Sequence, residues 1–187
     1  MSKSSKREII FIAAAKLFRD RGYQATSMRD LAESVDLKAS SLYNHIGSKE
    51  EILKEICMLN AEKFSEGMTQ ISGQDITPLQ KIKKLIKLHI DIASSDYTSV
   101  TSFNDEWRHL GEPTLSDFKE KRRQYEKHFL QIITAGVEDG SLHSTDPAIC
   151  LYTILSSMQW VYHATKDFDV EQIYEVISSL LVKGIQK

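Results

Sequence analysis

The sequence predicts an all-α fold of about nine helices, and three observations carry that reading. Only three prolines and eight glycines interrupt 187 residues. Nearly every segment between them repeats apolar residues at i, i+3, i+4 and i+7, the period of a helix with one buried stripe. The breaks in that period fall where capping residues restart it.

The first helix carries Ile10, Ala13, Ala14, Leu17 and Phe18 on one stripe and ends at Gly22, which suits a left-handed position after the last turn. Ser27-Met28-Arg29-Asp30 opens the second as a capping box, with Leu31, Ala32 and Val35 on its apolar side. A short third helix is expected from about Ala39 to His45. Ser48-Lys49-Glu50-Glu51 is a second capping box and starts a fourth helix that runs toward Gly67. Gly73-Gln74-Asp75 is a loop, after which Thr77 and Pro78 supply a cap and a first helical residue for the fifth. The sixth spans Tyr97 to Leu110, before Gly111-Glu112-Pro113. A long seventh follows from Leu115 to about Gly140. Asp146-Pro147 restarts an eighth up to Ala164, and Asp169 caps the ninth, whose stripe is Ile173, Val176, Ile177, Leu180 and Leu181.

Composition narrows the function. With 41% hydrophobic and 27% charged residues the chain has the balance of a globular protein, not of a disordered or membrane one. Its apolar runs are too short to span a bilayer and no leader pattern opens it, so a cytoplasmic protein without a membrane partner is expected. Cys57 and Cys150 lie far apart within helical patterns and are read as core thiols. The net charge is −2, yet residues 1–49 hold nine Lys or Arg against five acids. A basic end on an acidic body suits a nucleic-acid reader, because phosphate contacts need local positive charge. Chance clustering on a solvated face is the bland alternative.

The second and third helices, separated by Val35-Asp36-Leu37-Lys38, have the proportions of a helix-turn-helix. The third, Ala39-Ser40-Ser41-Leu42-Tyr43-Asn44-His45, offers small and hydrogen-bonding groups where a core helix would have a broad apolar face. Small residues let a backbone approach a duplex, and Ser, Asn, His and Tyr reach phosphates or base edges. Each also has a structural reading. Tyr43 packs inward with one edge, His45 holds a local hydrogen bond, and Lys49 is an ordinary first-turn residue. A cation in a first turn opposes the helix dipole, however, which favours an outside anion at Lys49.

Phe18-Arg-Asp-Arg-Gly22-Tyr23, Ser27-Met-Arg-Asp-Leu-Ala32, Leu42-Tyr43-Asn44-His45-Ile46 and Ser48-Lys49-Glu50-Glu51 closely resemble the N-terminal signature of the TetR family of transcriptional regulators, without gaps over about residues 7–55. The resemblance implies a DNA-binding domain at residues 1–48 and a ligand-binding and dimerisation domain at 49–187, linked by the fourth helix. It implies that Ser27 meets a phosphate and that Lys38, Ala39, Ser40 and Ser41 face the groove. Tyr43, His45 and Lys49 would hold the DNA backbone, with Arg29 and Asn44 as further contacts. Two departures stand out: Asp36 replaces the usual turn glycine, and Ile46 the usual aromatic. Asp36 either adopts the left-handed backbone of the turn or helps to cap the third helix.

The larger lobe shows no G-x-S-x-G, P-loop, G-x-G-x-x-G or HExxH, so neither an enzyme nor a metal or cofactor site is expected. His89, His109, His128 and His163 are read as isolated, partly buried groups. Met58, Phe64, His89, Phe103 and Trp107 lie on helices that face one another, as do Tyr125, Phe129 and Trp160. Such mixed-polarity aromatics either fill a core or line an effector pocket, and the resemblance favours the pocket. Phe103-Asn-Asp-Glu106-Trp107-Arg108 and Arg122-Arg123-Gln124-Tyr125 loosely resemble the branch that answers acyl-CoA thioesters in lipid and sterol catabolism. That would put Arg108, Arg122 and Arg123 on ligand phosphates; the rival reading is that Glu106 and Arg108 make ion pairs between helices. The last two helices are apolar on more than one face, and by the resemblance they pair with their copies in a homodimer. The expectation is a ligand-responsive regulator, most simply a repressor leaving a palindromic double-stranded operator when a small hydrophobic or acyl-CoA-like effector binds. The alternative is a helical enzyme or adaptor using the same pocket without DNA.

Overall fold

The computed structural model describes residues 5–143, 146–164 and 167–186, with the side chains of Tyr97, His163 and Ala164 left undescribed, so the reading of His163 lies outside the described residues. Among the described residues the chain is helical with one isolated bridge, Leu142 to Gln186. The helices are α1 (Lys6–Arg21), α2 (Met28–Ser34), α3 (Ala39–Tyr43), α4 (Lys49–Ser72), α5 (Pro78–Ser95) and α6 (Tyr97–Glu106). A 3-10 turn (Trp107–His109) precedes α7 (Thr114–Glu138), α8 (Pro147–Gln159), α9 (Val161–Ala164) and α10 (Val170–Ile185).

The caps explain most of the boundaries. Ser27 accepts from the Asp30 amide while the Asp30 carboxylate accepts from the Ser27 amide, the complete capping box expected. Thr77 and Gln80 form another. Ser48 accepts from the Glu51 amide at 3.1 Å, but the Glu51 carboxylate reaches back one residue further, to the Gly47 amide at 2.9 Å. Asp146 and Asp169 each accept two amides of the turn they start. Gly22 ends α1 at φ +86°, a backbone that side chains avoid.

Three boundaries differ from expectation. The fourth helix continues through Gly67 to Ser72. A Cβ on Gly67 would stand 2.5 Å from the Leu88 side chain, so this glycine serves the close approach of α5 instead of a stop. The sixth tightens into the 3-10 turn at Trp107, closed by the Leu110 amide on Trp107 O, just before the Gly111-Glu112-Pro113 break. The eighth divides at Trp160, whose amide turns to Met158 O. No glycine or proline marks that place.

Two compact units emerge. The first comprises residues 1–60 and 98–118, the second residues 61–97 and 119–187, with α4 and α7 each contributing to both. The helix-turn-helix segment therefore shares its unit with α6 and the start of α7, a different division from the cut at 48 drawn from the sequence. The first unit is built on buried Ile10, Ala14, Phe18, Leu31, Leu42, Ile46 and Leu53. Ile46 is 1% exposed, so it fills the place of the missing aromatic as a core residue. The second is built on buried Ile82, Leu85, Ile86, Ile90, Phe129, Ile133 and Ile154. No described helix is long and apolar enough to cross a membrane.

Asp36 adopts φ +54°, the left-handed turn, and α3 has no side-chain cap, so of its two sequence readings the turn is the one found. Left-handed backbone strains any residue with a Cβ. Asp36→Gly is therefore expected to stabilise the fold by about 0.5 kcal/mol, and Asp36→Val to destabilise it by about 1 kcal/mol. Denaturant midpoints at constant slope measure both.

Candidate nucleic-acid interface and effector residues

The third helix is short, anchored and outward-facing. Leu42 is fully buried and pins α3 to the first unit, whereas Lys38, Ala39, Ser40, Tyr43 and Asn44 are exposed and Ser41 and His45 half-buried. Tyr43 is 54% exposed, so its ring is not core. Beside α3, residues 24–28, Tyr43, Gly47, Ser48 and Lys49 line an open cleft of about 400 Å³. Ser27, Tyr43 and Lys49, expected to share phosphate contacts, are thus brought together. Gly47 and Ser48 were not expected there. Their position directly before Lys49, at the start of α4, is the signal that points to them.

Local bonds qualify several roles. The Ser27 hydroxyl already caps α2 and donates to Asp30, whose carboxyl is held below its usual range first by that bond and then by the Ser27 amide. Arg29 pairs with Glu33 at 3.1 Å on the exposed face of α2. The Lys49 ammonium donates to Tyr23 O at 2.9 Å and Thr26 O at 3.0 Å, and lies 4.4 Å from the Tyr23 ring centre. The adverse helix dipole at Lys49 is thus offset from inside the protein, by carbonyls of the loop that leads into α2. The dipole alone no longer requires an outside anion.

The expected effector residues separate into groups. Phe64, His89, Tyr125 and Phe129 cluster in the second unit, with His89 Nε2 2.8 Å from the Tyr125 hydroxyl. Burial pushes His89 down to about 4 and the Tyr125 hydroxyl up, so both are neutral at pH 7. Phe103 and Trp107 pack on Phe118 in the first unit, and the Arg108 guanidinium lies 4.7 Å from the Trp107 ring centre. Met58 is half-buried on α4. Arg122 pairs with Glu126, and Arg123 with Glu120. Trp160 joins none of them. It is 46% exposed in a groove with Ile149, Tyr152, Val176 and Leu180, on the same face of α8 as Ile149 and Tyr152. Burial pushes the Cys57 thiol up to about 12, with Glu106 adding to the shift, which leaves an inert core thiol as the sequence suggests.

A family model described as bacterial regulatory proteins of the tetR family matches residues 10–56, and one described as the tetracyclin repressor-like C-terminal domain matches residues 75–185. The chain belongs to the TetR family. This TetR-family chain is a DNA-binding transcriptional regulator and not an enzyme. The HTH-type transcriptional repressor KstR2 of Mycolicibacterium smegmatis is 27% identical over 187 residues, 97% of this chain and 91% of the relative. The solved ketosteroid transcriptional regulator KstR2 of Mycobacterium tuberculosis has the same fold, with a TM-score of 0.88 at 22% identity over 100% of this chain and 97% of that one. AibR, solved in complex with isovaleryl coenzyme A and operator DNA, gives a TM-score of 0.81 at 21% identity over 95% and 98% of the two chains.

Proposed function

We propose that this TetR-family regulator is a homodimeric repressor that reads a near-palindromic operator through α3 and is released by a small hydrophobic or acyl-CoA-like effector. The observation that carries the reading is the presentation of α3, with one buried anchor at Leu42 and exposed polar or small residues at Lys38, Ala39, Ser40, Tyr43 and Asn44. Lys38, Ala39, Ser40 and Ser41 face the major groove. Ser27, Tyr43, His45 and Lys49 hold phosphates, and Arg29 and Asn44 are further contacts.

Dimerisation is supported by Ile149, Tyr152, Trp160, Val176 and Leu180, all between 46% and 71% exposed along one groove of α8 and α10. A twofold pair would set two copies of α3 about 34–36 Å apart, one turn of DNA. The effector reading is supported by the neutral His89–Tyr125 pair among Phe64 and Phe129, an apolar setting with a polar anchor. Arg108, Arg122 and Arg123 would meet the phosphates of an acyl-CoA. AibR, solved with isovaleryl coenzyme A, and the KstR2 repressors motivate that ligand class. An effector favouring a dimer with readers set for no single DNA face would shift the population off the operator.

Lys49 gives the test. Lys49→Ala is expected to weaken binding to all DNA sequences and to shallow the dependence of log affinity on log salt by about one contact. Ser40→Ala and Asn44→Ala should instead alter which sequences are preferred. An unaltered salt slope in Lys49→Ala would remove its phosphate role and leave only its grip on the Tyr23 and Thr26 carbonyls. An adaptor that has given up DNA would retain no duplex even at low salt.

A further inference from the structure

The loop between α1 and α2 is held from two sides by groups distant in sequence. On one side stands Lys49, described above. On the other, the Glu106 carboxylate at the end of α6 accepts from the Tyr23 amide at 3.1 Å. The same carboxylate lies 3.4 Å from His109 Nε2 and is only 14% exposed. His109 stacks on the Tyr23 ring, with centres 5.4 Å apart at 18°, and its Nδ1 is 3.1 Å from Gln24 Nε2. The ring thus sits between the two, with Nδ1 placed to accept from the Gln24 amide and Nε2 facing the Glu106 carboxylate. The backbone of Tyr23 is thus held at its N–H by a carboxylate and at its C=O by an ammonium. Two further bonds extend the seam, from Ser102 Oγ to Ala15 O and from Arg19 to Thr98 Oγ1, each at 3.2 Å.

From this geometry we infer that Glu106 is a positioning residue for the DNA reader: it fixes the Gly22–Thr26 loop, and through it the entry of α2, without touching DNA. The inference rests on the DNA-reading role proposed above. Both Glu106 oxygens are engaged within the protein, and its negative charge would be repelled by phosphate, so direct contact with the duplex is not its work. The acceptor is charged and largely shielded from water. That is the setting in which one hydrogen bond to a backbone amide contributes most, because its loss strands a partly buried N–H. The bond spans 83 positions, so it ties the reader to a segment that takes no part in the helix-turn-helix.

The test uses the full chain and a duplex enriched from a randomised pool by the wild-type protein. Glu106→Ala is expected to bind that duplex about tenfold more weakly at every salt concentration, with an unchanged salt slope because no phosphate contact is lost. Glu106→Gln keeps an oxygen for the Tyr23 amide and should stay within about twofold of wild type. Hydrogen exchange supplies a reading that needs no DNA: the Tyr23 amide of the wild type should be protected, and should lose protection in Glu106→Ala while amides of the Leu31–Leu42 core keep theirs. A wild-type Tyr23 amide exchanging as freely as an open loop would overturn the inference, as would a Glu106→Ala protein with wild-type affinity or a shallower slope. Failure of the wild type to enrich any duplex would instead remove the DNA-reading role, and leaves the exchange result to decide the clamp.

Discussion

Replacing Leu180 by aspartate should convert the protein to a monomer and weaken operator binding by roughly a hundredfold or more. Leu180 is 71% exposed, the most of any large apolar side chain among the described residues, and it lies on the α10 side of the groove shared with Ile149, Tyr152, Trp160 and Val176. An aspartate there costs an isolated chain almost nothing, because water solvates it. Across a twofold axis the same change places two carboxylates in an apolar interface, where each must be desolvated without a cation. Binding suffers more than the interface itself, since a single α3 contacts one half-site and gives up the second reader's share of the free energy. Sedimentation velocity reads the mass, and anisotropy with labelled duplex reads the affinity. A Leu180→Asp protein that stays dimeric and binds normally would move the interface away from α8 and α10.

Acid should destabilise the protein through His89. Its imidazole is pushed down from 6.5 to about 4 by burial, with the Tyr125 hydroxyl as its hydrogen-bond partner and the Phe64 ring against it. Above pH 6.5 both folded and unfolded forms are neutral and the group has no effect on stability. As pH falls below 6.5 the unfolded chain takes up a proton that the native ring refuses, so stability declines until the native ring also titrates near pH 4. The expected loss attributable to His89 is about 2 kcal/mol between pH 7.5 and pH 5. His89→Gln keeps a hydrogen-bonding group for Tyr125 but has no titration, so its loss over that interval should be smaller by the same amount. Denaturant unfolding at the two pH values measures the difference. Equal losses in the two proteins would mean that the ring is charged, or wet, in the native state.

Elements whose signals are local were legible in the sequence. Ser27 with Asp30, Thr77 with Pro78, Asp146 and Asp169 each act on amides two or three residues away, so composition alone places those helix starts. Asp36 is a similar case, because a left-handed turn is a property of one residue's backbone. The exposed face of α3 was legible for a related reason: a helix with one large apolar residue has only one side to bury. The rest depends on which distant segments meet. Nothing near Tyr23 indicates that Glu106 and His109 return to hold it, and nothing near Lys49 indicates that its ammonium serves the Tyr23 and Thr26 carbonyls. Periodicity likewise puts Trp160 on one apolar face with Ile149 and Tyr152 without saying whether that face turns inward or outward.

The division of the chain follows from the same long-range contacts. A reader made of α1 to α3 alone would leave Ala15, Arg19 and Tyr23 without the partners that α6 and the 3-10 turn provide. With them, the helix-turn-helix sits on a base of residues 98–118 in one compact unit. For the dimeric regulator proposed above this matters, because its two readers would have to be held at a fixed separation, and loose attachment would cost binding free energy in ordering.

Sequencing of the duplexes that the purified wild-type protein retains from a randomised pool tests the reading of α3 most directly. An enriched inverted repeat, with half-site centres about one helical turn apart and two chains bound per duplex, is the predicted result. Retention of no duplex at low ionic strength, or equal retention of all sequences, would contradict it.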